Sequence, residues 1–122
     1  MPAESSSPAT LMEFEMPSQF KSPLAVGQVL EITFPNFTPR ITIRSERELT
    51  VEIIVGDPFS DTVEYEAVVV RDGLVILTWQ EHIGSTIVHV LDFNSDKAYT
   101  AVTPAKGGFN RLVGRMEVKS KV

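Results

Sequence analysis

Apolar and polar residues alternate with a period of two from residue 27 almost to the C-terminus. This is the period of a β-strand that buries one face and exposes the other. Turn-forming Gly, Pro, Asn and Asp residues divide the alternation into separate runs, and no amphipathic helix is predicted between them. The predicted strands cover residues 28–34, 38–44, 48–55, 62–71, 74–81, 85–93, 97–103 and 109–119. Such a series predicts an all-β fold, either a sandwich or an antiparallel barrel, and a barrel would leave no exposed strand edges.

The chain of 122 residues suffices for one domain, and its composition changes near residue 23. Residues 1–23 are rich in serine and proline, and we predict that they form a flexible or lid-forming N-terminal segment. Within it, Leu11, Met12, Phe14 and Met16 are apolar enough to cover the open end of a barrel. Residues 24–122 form the predicted barrel domain.

Composition argues against several classes of function. A formal net charge of -5 disfavours nucleic-acid binding, because such binding depends on clustered cations. The chain has no cysteine and only 2 histidines, so we expect neither a metal site nor a cofactor. No apolar run approaches the ~20 residues of a membrane helix, and the first residues do not resemble a secretory signal. We therefore expect a cytoplasmic protein with no nucleic-acid or membrane partner.

The fifth and sixth predicted strands can be aligned through the turn between them. Residues 82–84 suit a three-residue hairpin loop, with Gly84 in the left-handed conformation. This loop predicts three cross-strand pairs, which are Glu81 with Ser85, Trp79 with Ile87, and Leu77 with His89.

Residues 94–96 predict a second three-residue loop, which would pair Leu91 with Tyr99, His89 with Ala101, and Ile87 with Thr103. Together the two loops predict an inner face that carries Leu77, Trp79, Glu81, Ser85, Ile87, His89, Leu91, Tyr99, Ala101 and Thr103. The opposite face is also partly apolar, through Leu74, Ile76, Val88 and Val90. Such a face indicates either a homodimer patch or a surface that the N-terminal segment covers.

Three stretches in this half of the chain resemble a known family. Residues 73–81 read Gly-Leu-Val-Ile-Leu-Thr-Trp-Gln-Glu, residues 84–93 read Gly-Ser-Thr-Ile-Val-His-Val-Leu-Asp-Phe, and residues 98–104 read Ala-Tyr-Thr-Ala-Val-Thr-Pro. They resemble the MoaF-like family of lipocalin-like β-barrels and, more distantly, the bacterial phenolic acid decarboxylases. The resemblance implies a small calycin-type antiparallel β-barrel of about eight strands.

The decarboxylases use the glutamate of a Trp-x-Glu strand in catalysis, and this similarity implies a role for Glu81. They also use two tyrosines on the first strand and an arginine on a loop before the fourth. The corresponding first-strand positions here are Ile32 and Phe34, and the loop over residues 56–61 contains no arginine. Without these groups a substrate carboxylate would not be held, so decarboxylation of phenolic acids is not expected.

Glu81 and His89 are the candidate catalytic residues. A carboxylate that faces an apolar cavity loses hydration, and the resulting rise in pKa suits general acid–base catalysis. The alternative for Glu81 is a hydrated position at the barrel rim. His89 would lie about 13 Å further along the strand, so the two groups could bracket a small ligand but not bond to each other. The alternative for His89 is a structural pair with Tyr99 in the core.

The predicted walls of the site are Ile32, Phe34, Tyr65, Leu77, Trp79, Ser85, Ile87, Tyr99, Ala101 and Thr103. From them we predict reversible binding of a small apolar or amphipathic metabolite inside the barrel. One alternative is a cofactor-independent isomerase, cyclase or lyase of secondary metabolism, with Glu81 as general acid or base. A second alternative is a protein-interaction module that uses the apolar outer face around Ile76 and Val88.

Overall fold

The structure is a computed structural model, and it describes residues 20–120. The predicted lid residues Leu11, Met12, Phe14 and Met16 lie outside this range. The eight strands are β1 (Val29–Thr33), β2 (Thr38–Ile43), β3 (Glu48–Val55), β4 (Ser60–Arg71), β5 (Leu74–Gln80), β6 (Thr86–Asp92), β7 (Lys97–Thr103) and β8 (Asn110–Ser120). Each strand pairs antiparallel with the next, and β8 pairs with β1 to close a barrel. The prediction of an all-β, eight-stranded antiparallel barrel is confirmed. No helix in the described range is long and apolar enough to cross a membrane.

The two longest strands, β4 and β8, close the barrel by pairing with a different neighbour along each half. Residues 60–64 of β4 pair with β3, whereas residues 65–71 pair with β5. Residues 110–115 of β8 pair with β7, and residues 115–120 pair with β1. This stagger between neighbouring strands is the geometry that lets a twisted sheet join its own edge.

The inner faces of all eight strands meet in one apolar cluster. Its most deeply buried side chains belong to Leu30, Ile32, Ile41, Ile43, Leu49, Leu77 and Leu91. Full burial of one such side chain is worth roughly 1.5–3 kcal/mol, so this cluster is the main source of stability. Side chains therefore occupy the middle of the barrel, where the sequence analysis had predicted room for a ligand.

Gly114 allows β8 and β1 to approach each other closely. It pairs with the buried Ala98 and so lies on the inner face of β8. A Cβ at this position would lie 2.8 Å from the side chains of Ile32 and Phe34 and from the carbonyl oxygen of Thr33. No side chain fits there without displacing β1.

The predicted register of β5 and β6 is confirmed. Leu77 pairs with His89 and Trp79 with Ile87. The Glu81 N–H donates to the carbonyl of Ser85 at 2.8 Å, which continues the same register to the edge of the hairpin loop.

The predicted register of β6 and β7 is wrong by one residue. Asp92, rather than Phe93, closes the ladder opposite Lys97, so the loop has four residues. Phe93 leaves the β6–β7 ladder because its N–H donates to the Gly73 carbonyl at 2.8 Å. The Asp92 carboxylate then accepts hydrogen bonds from the N–H groups at positions 94 and 95, which stabilise the wider loop.

A shift of one residue turns every side chain of β7 to the other face. Tyr99, Ala101 and Thr103 were predicted to face inward but lie on the outer face, and Tyr99 is 44% exposed. Ala98 and Thr100 are buried in their place.

Candidate ligand-binding site

The hairpin between β5 and β6 fixes the side chains of Trp79 and Glu81. Gly84 adopts a φ of 99°, and its N–H donates to the Glu81 carbonyl at 2.7 Å. Residues two apart on a strand project to the same side, so the indole and the carboxylate lie next to each other. The Trp79 Nε1–H donates to Glu81 Oε2 at 3.2 Å. The most prominent candidate residue thus has a fixed partner.

The Glu81 carboxyl is half-buried, and this burial raises its pKa above the ordinary value. The hydrogen bond from Trp79 acts in the opposite direction because it stabilises the charged form, while the charge of Asp61 adds to the rise. The direction of the shift agrees with the one expected from the sequence. A carboxyl group in this environment is suited to exchange protons closer to neutral pH than an exposed glutamate.

Asp61, at the start of β4, holds the hairpin loop in place, a role that the sequence analysis missed. Its carboxylate accepts the backbone N–H of His82 at 2.8 Å and lies 2.8 Å from His82 Nδ1. Burial acts to raise the pKa of Asp61, but the hydrogen bonds and the charge of His82 outweigh it, and the pKa is lowered. The contact joins residues 21 positions apart, so no local sequence pattern signals it.

His89 lies in the core and is 3% exposed. Burial lowers its pKa to about 3, so the imidazole is neutral at physiological pH. Its Nδ1 lies 2.6 Å from Thr100 Oγ1, and its ring centroid lies 5.1 Å from that of Trp79. The partner is Thr100 rather than the predicted Tyr99, because the β7 register is shifted. A neutral, paired imidazole can orient another group but is a poor proton acceptor.

Trp79 contacts both candidate catalytic groups. Its indole N–H bonds to Glu81, and its ring packs against His89. Within residues 20–120, no hydrogen bond joins Glu81 directly to His89. The indole therefore occupies the space in which a bracketed ligand was predicted.

The structure separates the predicted wall residues into three groups. The core cluster contains five of them, namely Ile32, Phe34, Leu77, Trp79 and Ile87. Ser85 is also buried, beside the hairpin loop. Tyr65 is half-buried in a different place, at an opening of the barrel, where its hydroxyl donates to the carbonyl of Ser45 at 2.8 Å. The remaining three, all on β7, lie on the outer face.

A concave space of about 460 Å³ opens at this second position, which we call the barrel mouth. Its walls come from residues 22–26, from the end of β2 with the following turn, and from β4. The lining residues are Ser22, Leu24, Ala25, Val26, Ile43, Glu46, Tyr65, Glu66 and Ala67. Burial and the charge of Glu46 both raise the pKa of Tyr65, so its phenol stays protonated. Apolar side chains and a few polar groups thus meet in one cleft.

Gln28 holds residues 22–26 against the barrel mouth. Its Nε2 donates to the Pro23 carbonyl at 3.1 Å, and its Oε1 accepts the N–H of Ala25 at 3.3 Å. Leu24 packs against the core cluster from outside the strands. These residues are not recognisable as site residues from the sequence, because the segment has no periodicity, and only the apolar Leu24 beside Pro23 signals a contact.

A second concave space, of about 610 Å³, lies on the outer wall where β1, β7 and β8 meet. Its lining includes Lys97 and Arg115, which are cross-strand partners, together with Asp96. These charges have opposite signs, so the groove has no single electrostatic preference. Among the residues that the structure describes, no group of three His, Cys, Asp or Glu side chains could hold a metal ion.

Comparison with known proteins gives a consistent picture of the fold. A sequence model of the family described as MoaF-like matches residues 26–117. Among solved structures 7 chains match. One is the crystal structure of a protein from Burkholderia vietnamiensis described as a candidate beta-lactamase. It is 26% identical in sequence, the alignment covers 80% of this chain and 98% of that one, and the TM-score is 0.75. No curated protein sequence matches this chain.

Proposed function

This chain belongs to the MoaF-like family, and from that premise and the shape of its barrel we propose that it binds a small, mostly apolar molecule in the barrel mouth. The observation that carries the proposal is the cleft of about 460 Å³ between residues 22–26 and the strands. Ligand pockets typically have volumes of roughly 300–1,000 Å³, with apolar walls and a few polar groups. The mouth has the size of such a pocket, and its lining is more polar than usual, with apolar side chains beside Ser22, Glu46, Tyr65 and Glu66.

Three side chains would supply most of the apolar contact. Ile43 closes the floor of the mouth as part of the core cluster. Ala67 pairs with the buried Leu77 and therefore lies on the inner face of β4, but it is exposed because nothing packs over it. Leu24 forms the opposite wall. Because side chains fill the barrel beyond Ile43, a bound molecule would rest in the mouth rather than at the centre.

The charges of the lining favour an uncharged or cationic ligand. Among the residues that the structure describes, Glu46 and Glu66 line the mouth, and no lysine or arginine does. An anionic group beside the Glu46 carboxylate, whose charge acts on Tyr65, would be repelled, whereas an amine or a neutral hydrogen-bond donor would be attracted. The Tyr65 hydroxyl offers a further acceptor at the same place, since its proton is donated to Ser45.

The proposal is tested with N-phenyl-1-naphthylamine, an uncharged apolar probe whose fluorescence rises on binding. We expect binding at one site with a Kd on the order of micromolar. Ala67→Trp should weaken this by about tenfold or more because the indole fills the mouth, whereas Ile83→Trp, on the exposed hairpin loop, should not. Equal binding by both variants would contradict the proposal. Native mass spectrometry of protein purified from its own host would then show which molecule it retains.

A second candidate function is cofactor-independent acid–base catalysis by Glu81. The observation that favours it is the half-buried carboxyl with a raised pKa and a fixed hydrogen bond to Trp79. The likeness to a protein described as a candidate beta-lactamase makes β-lactam hydrolysis the first reaction to assay. Glu81 would take a proton from water, the oxygen would add to the ring carbonyl, and the ring nitrogen would leave with that proton.

A chromogenic cephalosporin tests this second candidate. If Glu81 is catalytic, the unaltered chain and His82→Gln should both turn the substrate over, and Glu81→Gln should not. The absence of turnover by the unaltered chain, or equal rates for the two variants, would contradict it for this substrate class.

A further inference from the structure

A row of five apolar side chains crosses the outer face of the barrel. Direct cross-strand pairing links one residue from each of the strands β4 to β8, namely Val68, Ile76, Val90, Tyr99 and Val113. Directly paired residues of antiparallel strands project to the same face, so these side chains form one continuous stripe, the apolar row. Tyr99 and Val113, which are 44% and 57% exposed, are its least covered members. Solvated outer strands do not need such a stripe, and it indicates a surface that another molecule covers.

The row of cross-strand partners next to the apolar row carries opposite charges at its two ends. It consists of Glu66, Thr78, Val88, Ala101 and Arg111, again one residue from each strand. Within residues 20–120, neither Glu66 nor Arg111 forms an ion pair. The guanidinium of Arg111 lies 5.4 Å from the ring centroid of Phe109, which holds it at the edge of the face. A carboxylate and a guanidinium without ionic partners therefore stand on either side of an apolar centre.

We infer that the molecule covering this face is a second copy of the same chain, related to the first by a two-fold axis parallel to β6. Such an axis reverses the order of the strands, so that β4 of one copy faces β8 of the other. Val90 would pack against Val90 of the second copy, and Glu66 would face Arg111 of the second copy. The contact between Glu66 and Arg111 occurs twice, as an isologous interface requires.

The convex shape of the barrel fits this arrangement. Two convex surfaces touch at their centres and diverge at their edges, and the apolar row spans about 19 Å at a strand spacing of roughly 4.8 Å. The middle strand, β6, carries the compact side chains Val88 and Val90. The outer strands carry long Glu and Arg side chains, which can bridge the wider gap at the edges.

The size of the face predicts a dimer that dissociates on dilution. A face about five strands wide offers each copy a few hundred Å², below the roughly 800 Å² that each partner buries in a standard interface. We therefore expect a dissociation constant on the order of micromolar. The charge pairs would contribute mainly to orientation and specificity.

Sedimentation equilibrium of the full chain, from about 1 to 500 μM, tests the inference. Glu66→Arg and Arg111→Glu alone should each raise the dissociation constant about tenfold or more, because like charges then face each other twice. The double variant Glu66→Arg/Arg111→Glu should restore dimerisation. An equimolar mixture of the two single variants should form a heterodimer, since both of its charge pairs are again opposite. Asp57→Arg, at the exposed β3–β4 turn, is the matched control and should behave as the unaltered chain.

Three results would overturn the inference. One is an unaltered chain that stays monomeric at about 500 μM, and another is a double variant that does not recover. The third comes from a photoreactive residue at position 113 of the full chain. Capture of β4 from another copy supports the two-fold interface, whereas capture of residues 1–19 within the same chain would assign the face to that segment.

Discussion

Trp79 determines what the polar groups near the barrel centre can do. Its indole donates to Glu81 on one side and packs against His89 on the other, and His89 in turn contacts Thr100. Each of these four side chains has a partner, as polar groups in low-dielectric surroundings require. Glu81 therefore lies near solvent and can titrate, whereas His89 is buried and stays neutral.

The neutral state of His89 makes stability depend on pH. Its pKa is about 3 in the folded protein and near 6.5 in the unfolded chain, so only the unfolded chain takes up the proton between these values. Stability is therefore full above pH 6.5 and falls as the pH is lowered toward 3. Between pH 7 and pH 5 we expect a loss of about 2 kcal/mol from this group, measured by urea unfolding. His89→Gln, which can still bond to Thr100, should show a flatter profile, and an equally steep one would contradict this assignment.

The pKa shift of Glu81 should change the pH dependence of stability in the opposite direction to that of His89. Because burial raises its folded-state pKa, the folded protein holds a proton more tightly than the unfolded chain, and this contribution improves stability as the pH falls through that pKa. Glu81→Gln should therefore be slightly more stable than the parent at pH 7, by less than about 1 kcal/mol because partial exposure screens the charge. The difference should vanish once the pH is below the pKa of an ordinary glutamate, where the carboxyl is protonated in both states. Since Trp79 is the only tryptophan, its emission should titrate in the parent and not in the variant.

At the scale of strands, the β6–β7 loop shows how far local sequence determines register. The β5–β6 loop was predicted correctly because Gly84 marks the one left-handed position of a three-residue turn. The β6–β7 loop has no glycine, and Asp96 takes the left-handed conformation instead, with a φ of 59°. Phe93 leaves the ladder because its N–H donates to the carbonyl of Gly73, on the preceding β4–β5 turn. Period and turn residues therefore predict the strands, whereas a contact distant in sequence sets this register.

Two threonines of β7 provide a direct test of the register. Thr100 is buried and bonds to His89, whereas Thr103 is exposed on the outer face. Thr100→Val should cost about 1–3 kcal/mol, because it leaves a buried imidazole nitrogen without a partner. Thr103→Val should change the free energy of unfolding by no more than about 0.5 kcal/mol. If Thr103→Val were the more destabilising of the two, the three-residue loop and its register would be correct instead.

The closure between β8 and β1 depends on the missing side chain of Gly114. Gly114→Ala places a methyl group 2.8 Å from two core side chains and a backbone carbonyl, and the carbonyl cannot rotate away. Overpacking of this kind costs typically about 1–3 kcal/mol. Gly108→Ala measures the cost of an unfavourable φ without overpacking, because its Cβ meets nothing within 4 Å and its φ is 104°. If urea unfolding shows that Gly114→Ala costs less than about 0.5 kcal/mol, the close approach of β1 is not needed for closure.

At the scale of the whole molecule, the sequence predicted the barrel better than the site. Alternation shows which residues face inward, and Ile32, Leu77 and Ile87 do so. It does not show whether opposite walls touch, because that depends on strand stagger and on side chains such as Trp79 that reach across. The alternation of apolar and polar residues also could not predict the barrel mouth, because part of its lining comes from residues 22–26, which belong to no strand. Glu66 borders the mouth, while its pairing with Thr78 places its side chain on the outer face, at the end of the proposed dimer face.

Dimerisation through that face should also appear in the thermal stability of the whole molecule. A partner that binds only the folded chain adds stability that grows with protein concentration, by about 2.7 kcal/mol at a hundredfold excess over the dissociation constant. For a domain of this size the Tm should therefore rise by several degrees between about 1 and 100 μM. Glu66→Arg should clearly reduce this rise without changing the Tm at the lowest concentration, because within residues 20–120 Glu66 forms no ion pair that the substitution would break. A Tm of the parent that stays constant over this range would show that the apolar row of each barrel is not covered by its neighbour.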